Sequence, residues 1–321
     1  TDALEMAAIL LNIESGDEVI MPSFNFVSAA NAFSMLGASI KFADSEEGNP
    51  NVAFEEIQRL ITHKTKAIIV VHYAGNACEM DQIMELANKN DICVIEDAAH
   101  SIDAKYKDAW LGSIGHLATF SFHETKNISC GEGGMLVIND EKFEERAEII
   151  WEKGTNRAAF YRGEVNKYEW VDVGSSFLPS EINAAYLLAQ LKEIKSIQAK
   201  RYQAWMQYFQ LLSELDFKGF IQIGIPENGA TNNAHMFYFT TRTEEERNNL
   251  LAHIKSQGAL AVFHYLPLHK SPHFLKTHKS EDLLNSERFA RRLIRLPLYG
   301  DITNEEIKIV SQSVVDYFNT Q

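Results

Sequence analysis

Two residues in this sequence stand just beyond buried apolar runs and could do chemistry together. Asp97 closes the run Ile92-Cys93-Val94-Ile95-Glu96. A carboxylate at the end of a buried strand is costly unless a positive group meets it, so Asp97 reads as a partner for a cationic ligand atom such as a protonated pyridine nitrogen. The plain alternative is a carboxylate that caps the following turn. His100 lies three residues on. It faces the same ligand or is an ordinary satisfied polar group. Lys126 follows LATFSFHET and precedes NISCGEGG. An amine in a partly desolvated place has a lowered pKa and becomes a nucleophile for Schiff-base chemistry, and the glycines let backbone pass close to a bulky ring. By itself, a lysine beside a glycine loop reads as surface. The combination of an acid after one strand and an amine after another is what pyridoxal phosphate requires, one for its ring nitrogen and one for its aldehyde.

That cofactor also needs a phosphate cradle. A helix N-terminus offers free amide donors and partial positive charge, and Thr1-Asp2-Ala3 is such an end. Ser121, five residues before Lys126, adds a hydroxyl, and Phe26 in PSFNFVS is placed to stack on the ring or else to join the core.

The elements that must carry these residues follow from periodicity. Residues 1–13 suit a helix. Short apolar runs at 18–21, 39–43, 66–72 and 92–96 alternate with helical stretches at 24–36, 53–61 and 80–90. Continuous apolar strands are buried on both faces, so the succession predicts an α/β unit with a mostly parallel, mixed sheet flanked by helices. Strands at 117–122 and 134–139 complete it. A long helix is expected over 180–215, then an α+β unit: strands at 235–242 and 261–266 and helices over 244–257, 281–295 and 304–318, the last with a Thr303–Glu306 capping box. The division expected is a cofactor-binding large domain over 1–194 and a smaller C-terminal domain over 195–321.

Composition excludes other classes. The 321 residues are 45% hydrophobic and 23% charged, with a formal charge of −14, which speaks against nucleic acid or an anionic membrane as the main partner. No apolar run is long enough to span a bilayer. Three cysteines without C-x-x-C spacing make a disulfide framework or a cysteine-built metal site unexpected, and a reducing cytoplasm is the expected setting. The chain opens without Met or a signal peptide, as though it starts inside a domain.

The segments TDALEMA, GDEVIMPSFNFVSAANA, VVHYAGNACEMD, VIEDAAHS, FSFHETKNISCGEGG, EINAAYLLAQL and HYLPLH resemble the DegT-family sugar aminotransferases from Thr1 to about residue 318. The resemblance implies a fold-type I pyridoxal 5'-phosphate enzyme, homodimeric, moving an amino group from L-glutamate to a nucleotide-linked keto sugar, here dTDP-linked. It implies that Lys126 binds the cofactor's aldehyde and shuttles protons, that Asp97 pairs the ring nitrogen, and that His100 lies beside the ring hydroxyl. Phe26 takes the ring face, and Thr1, Asp2 and Ser121 hold the phosphate. The family usually begins some tens of residues earlier, so an N-terminal segment is expected to be missing here. Where many members place a partner-subunit Asn against the phosphate, this sequence has Leu178, with Ser175 or Ser176 as substitutes.

The cationic segment Lys153-Gly154-Thr155-Asn156-Arg157, with Arg162, is the candidate site for the sugar nucleotide, the alternative being a solvated loop. Other members of such a fold would differ at these residues. A dehydratase branch carries His in place of the lysine, and a non-catalytic regulator would lose Lys126, Asp97 or Ser121.

Overall fold

The computed structural model of the chain describes residues 1–227, 229–279 and 281–320. Strand and helix alternate at first: α1 (Asp2–Leu10), β1 (Glu18–Pro22), α2 (Val27–Ser34), β2 (Ser39–Ala43), α3 (Phe54–Leu60), β3 (Thr65–Val71), α4 (Met80–Lys89) and β4 (Cys93–Asp97). A short hairpin of β5 (Lys105–Tyr106) and β6 (Ala109–Trp110) precedes β7 (Leu117–Ser121) and β8 (Gly134–Ile138). Six strands make one sheet in the order β2-β1-β3-β4-β7-β8. It is parallel except for the antiparallel β7–β8 pair.

The continuous apolar runs are explained by burial on both faces. In β3, Ala67 and Ile69 pack with Leu4, Phe33 and Ile150 on one side, while Ile68 and Val70 pack with Ile57, Met80 and Ile83 on the other. Successive side chains of a strand point to opposite faces, so both must be apolar when helices cover both.

Next come α5 (Glu144–Trp151), α6 (Arg157–Tyr161), α7 (Glu181–Lys192) and α8 (Ile194–Phe217). The chain finishes with β9 (Ile221–Ile223), β10 (Phe237–Thr241), α9 (Glu244–Ser256), α10 (Leu284–Arg292), β11 (Leu293–Leu296) and α11 (Asn304–Asn319). The last three strands form an antiparallel sheet, β11-β10-β9, over an apolar cluster that includes Tyr208, Phe237, Phe239, Leu250 and Val314. Thr303 and Glu306 close the expected capping box on α11. Another cluster joins Phe24 and Tyr73, beyond the ends of β1 and β3, to Met236, Tyr238, Phe289 and Leu293. It brings the C-terminal elements to the carboxyl edge of the large sheet. Among the described residues, no helix is long and apolar enough to cross a membrane.

Several expected elements differ. The helix over 180–215 is two, broken at Glu193: α7 has no buried residue, while α8 buries Trp205, Tyr208 and Leu212. The two pack against different surroundings, and a shared periodicity hides the turn. The helix expected over 281–295 ends at Arg292, because Leu293–Leu296 pairs with β10. Its four residues are too short a run for a period to emerge. The expected strand at 261–266 shrinks to one bridge, Val262 with Arg295, and Pro267 follows with no N–H to extend a ladder. At the N-terminus, α1 stops at Leu10 rather than residue 13, with Asn12 at φ 50. β9, α5, α6 and the β5–β6 hairpin are additional elements.

Candidate active site

Asp97 is the last residue of β4, and its neighbour Glu96 has an opposite fate. Glu96 is fully buried and accepts from His72 Nε2 at 2.9 Å and from the N–H groups of Gly112, Ile114 and Gly115 at 2.6–2.7 Å. Burial alone would raise its pKa, but these donors hold it below the usual carboxylate range. Asp97 is also buried, yet accepts one hydrogen bond, from Ala99 N–H at 3.2 Å. Burial pushes its pKa up against the opposing field of Lys126. Thr119, opposite Asp97 in the β4–β7 register, has a buried hydroxyl without a partner among the described residues. One carboxylate is structural; the other is underused.

Lys126 lies in the loop between β7 and β8, its N–H bonded to His123 O. Burial lowers its pKa to about 8, with Asp97 opposing and Arg295 assisting. His100 is buried and stacks on His235 with centroids 4.2 Å apart. Burial and then the charge of Lys126 depress its pKa well below the ordinary range, so the ring is neutral.

Several neighbours of this group were not singled out from sequence. His235 Nδ1 bonds Asn127 Oδ1 at 2.7 Å, and Asn127 Nδ2 donates to Gln198 Oε1 and to the carbonyl of Asn233. Asn233 in turn donates to the carbonyls of His100 and Ile102. A Cβ on Gly75, at φ +80, would sit 2.2 Å from Asn233 Oδ1, so only glycine leaves room for this bracing. Arg295, His264 and Tyr265 complete the surroundings. Arg295 falls inside an expected helix, and His235 heads an ordinary apolar strand, so neither carried a local signal. Asn127 directly follows Lys126 and was the most findable.

The remaining expected residues fall nearby in two groups. Phe26 is 59% exposed and its ring lies 6.3 Å from that of Tyr265, whose pKa burial raises, with Arg295 and then Asp97 acting on it. Ser121 ends β7 and is half-buried, its Oγ 3.4 Å from the N–H of His123. Thr1 is the N-cap of α1, and its Oγ1 lies 2.9 Å from Ser28 Oγ in the first turn of α2. Two helix N-termini therefore meet there. Thr1 and Asp2 line a cavity of about 1010 Å³ with Gly133, Arg162 and Leu178. Lys126 lines a different one of about 480 Å³ with Arg201 and Arg295.

The two arginines of the cationic segment are already neutralised. Arg157 bonds Glu152 at 2.7 Å, and Arg162 spans Glu148 and Glu164 at 2.7–3.2 Å. Lys153 sits at φ 66, its N–H on the carbonyl of Ser175. Ser176 bridges to Glu152, and Leu178 is 38% exposed.

The model of the DegT/DnrJ/EryC1/StrS aminotransferase family matches residues 1–315. The chain belongs to this family. It is 33% identical to the uncharacterized protein MJ1066 of Methanocaldococcus jannaschii, over 98% of this chain and 83% of that one. Among solved structures it is similar to S. venezuelae DesV in complex with a ketimine intermediate, at 28% identity and a TM-score of 0.89, covering 98% of this chain and 82% of DesV. The fold also matches a putative sugar aminotransferase, Spr1654 of Streptococcus pneumoniae, in its PMP-form, with a TM-score of 0.91 at 23% identity, over 99% of this chain and 86% of that one.

A DegT-family enzyme is a pyridoxal-phosphate-dependent aminotransferase of the type I fold. The residues present fit that cofactor. Asp97 is a buried acid with an unused acceptor, the complement of a pyridinium N–H, and Lys126 is a desolvated amine within its field.

Proposed function

We propose that this enzyme moves an amino group from L-glutamate to C4 of a nucleotide-linked 4-keto-6-deoxy sugar. The substrate we favour is dTDP-4-dehydro-6-deoxyglucose, giving dTDP-4-amino-4,6-dideoxygalactose for surface polysaccharide, which would make the enzyme a dTDP-4-amino-4,6-dideoxygalactose transaminase. The observation that carries the chemistry is the Asp97–Lys126 pair, a carboxylate raised and an amine lowered by the same burial. The sugar rests on the resemblance of segments such as FHETKN, VGSSFLPSE and VFHYLPLH to that branch of the family.

Bound pyridoxal phosphate supplies the electron sink. Lys126 would hold the cofactor at its aldehyde, and its Nζ would move the proton at the donor's Cα; a pKa of about 8 leaves a useful fraction of neutral amine. Asp97 would keep the proton on the ring nitrogen. His100, neutral and stacked on His235, would stand beside the ring hydroxyl, and Phe26 would cover a ring face. Thr1, Asp2 and Ser121 would take the phosphate. Lys153, Arg157 and Arg162 meet the sugar nucleotide, the two arginines exchanging carboxylate partners for a diphosphate.

We also infer a homodimer. The α7 sequence EINAAYLLAQLK is rich in apolar residues, yet none is buried; Ile182 is 82% and Tyr186 57% exposed. A surface of that kind calls for a partner. The division into units of 1–194 and 195–321 is supported by the apolar cluster under β9, β10 and β11, whose members all follow residue 195.

Borohydride reduction followed by peptide mapping tests the chemistry: a pyridoxyl adduct on Lys126 is expected, and its absence ends the proposal. Incubation with glutamate and dTDP-4-dehydro-6-deoxyglucose, with NMR of the product, tests the sugar. An equatorial C4 amine would assign a different product.

A further inference from the structure

A further cavity, of about 410 Å³, lies among the C-terminal elements and shares no lining residue with the one at Lys126. Three arginines line it: Arg242 just past β10, and Arg288 and Arg292 on α10. In a chain of formal charge −14, arginines find carboxylates readily. Arg242 takes Glu246, and Arg291, beside Arg292, takes Glu287. Arg292 takes none, and its guanidinium has no hydrogen bond or ring contact among the described residues.

Arg288 donates from Nη2 to the carbonyl of Glu47 and lies over the Phe289 ring, 5.3 Å from its centroid. Neither partner is ionised, so the charge of Arg288 is unmet as well. Asp216 is the acid that lines the cavity. Its Oδ1 accepts from Ile223 N–H at 2.8 Å, and among the described residues it pairs with neither arginine. Arg288 and Arg292 are half-buried and four residues apart on α10, a spacing at which like charges face each other and repel. An anion between them would remove that repulsion and meet two planar forks of donors. Neutral polar groups border the same place. Gln222 and Thr240 are opposite each other in the β9–β10 register, hence on one face of the sheet. Neither side chain has a hydrogen bond among the described residues.

We propose that this cavity is a second ligand site of the enzyme, for a small diphosphate anion held by Arg288 and Arg292 with Gln222 and Thr240 beside it. Two unmet guanidinium charges one helical turn apart give each phosphoryl group a fork of its own, which a single carboxylate would leave half used. The volume is that of a small-molecule pocket. Arg242, exposed and committed to Glu246, stands at the rim. The site is separate from Lys126 and from α6, and it holds whatever the identity of the amino acceptor.

The probe is inorganic pyrophosphate, titrated into the holoenzyme by calorimetry in magnesium-free buffer. Saturable binding is expected, and Arg292→Gln should weaken it roughly 10- to 100-fold, the worth of a charge-assisted pair. Arg292→Lys should recover part of the loss, and turnover without pyrophosphate should be unchanged in both variants. Uridine diphosphate in a parallel titration assigns the source: tighter binding than pyrophosphate supports a nucleoside diphosphate, equal binding the bare diphosphate group. Absence of saturable binding overturns the proposal, and so does wild-type pyrophosphate affinity in Arg292→Gln, which would place the ion elsewhere. Should Arg292→Gln fail to fold, phenylglyoxal labelling of the wild-type holoenzyme with peptide mapping decides. Pyrophosphate must shield Arg292 and leave Arg59, a surface arginine paired with Glu56 on α3, as reactive as before. Equal shielding of the two would be ionic screening only, and it would overturn the proposal as surely as unchanged labelling of Arg292.

Discussion

Two basic regions of this enzyme make opposite use of positive charge. Around α6, Arg157 and Arg162 are exposed and satisfied by Glu152, Glu148 and Glu164. Around Lys126, positive groups crowd together with little acid to meet them: Asp97 is the one carboxylate whose field raises the Lys126 amine, and Arg295 opposes it. Charges paired in water are cheap and contribute little. Charges left unpaired in a desolvated place are costly, and the fold retains them only where a ligand is to meet them. A count of lysines and arginines gives the two regions equal weight, whereas their partners separate them.

The comparison breaks first at Lys126. Lys126→Ala should lower turnover by on the order of 10⁴-fold, because the covalent and acid–base roles vanish together. Pyridoxal phosphate should stay bound without a covalent link, read by its absorbance and by mass spectrometry under denaturing conditions. A variant that keeps wild-type turnover would place the chemistry elsewhere.

A second, smaller effect is in pH. The lysine's folded pKa is lowered, so the neutral amine becomes available as pH rises through about 8 rather than near its usual 10.5. Uptake of pyridoxal phosphate by the cofactor-free enzyme should quicken about tenfold per unit below that point and level off above it. Stopped-flow absorbance measures this, and a rise centred two units higher would mean that the amine is solvated.

The α6 region should respond less. Arg157→Ala is expected to raise the sugar-nucleotide KM severalfold with the glutamate KM unchanged, and steady-state kinetics in both substrates separates the two. An unchanged sugar-nucleotide KM would return Arg157 to a purely structural pair with Glu152. Smallest of all, Arg162→Ala should leave the thermal midpoint nearly unmoved, the more so in added salt, since its pairs with Glu148 and Glu164 are exposed.

The large sheet was legible because burial on both faces leaves a mark in the sequence itself. The middle of KAIIVVH and the start of ICVIE are unbroken apolar runs, and both lie in strands of the parallel sheet. Asp97 and Lys126 were legible for a related reason, since a charged residue after such a run contradicts its surroundings. The C-terminal elements were harder to read. LIRL is four residues long and follows a helix without a break, and its strand character comes from β10 alongside it. Arg295 lies on that strand, so its contact with His264 was hidden with it. The break between α7 and α8 at Glu193 was hidden likewise, since neither glycine nor proline marks it.

Sequence alone singled out residues whose types suit the chemistry, an amine, an acid and an imidazole at or beyond the ends of buried strands, because strand periodicity and the cost of burying charge are local rules. Tertiary structure decided which charges were already spent. Glu96 takes four donors and Asp97 one, though they are adjacent in the chain. Arg162 meets two acids, and among the described residues the Arg295 side chain meets only an imidazole. The free energy of an ionised group depends on what stands within a few ångströms of it, and those neighbours come from elements far apart in sequence.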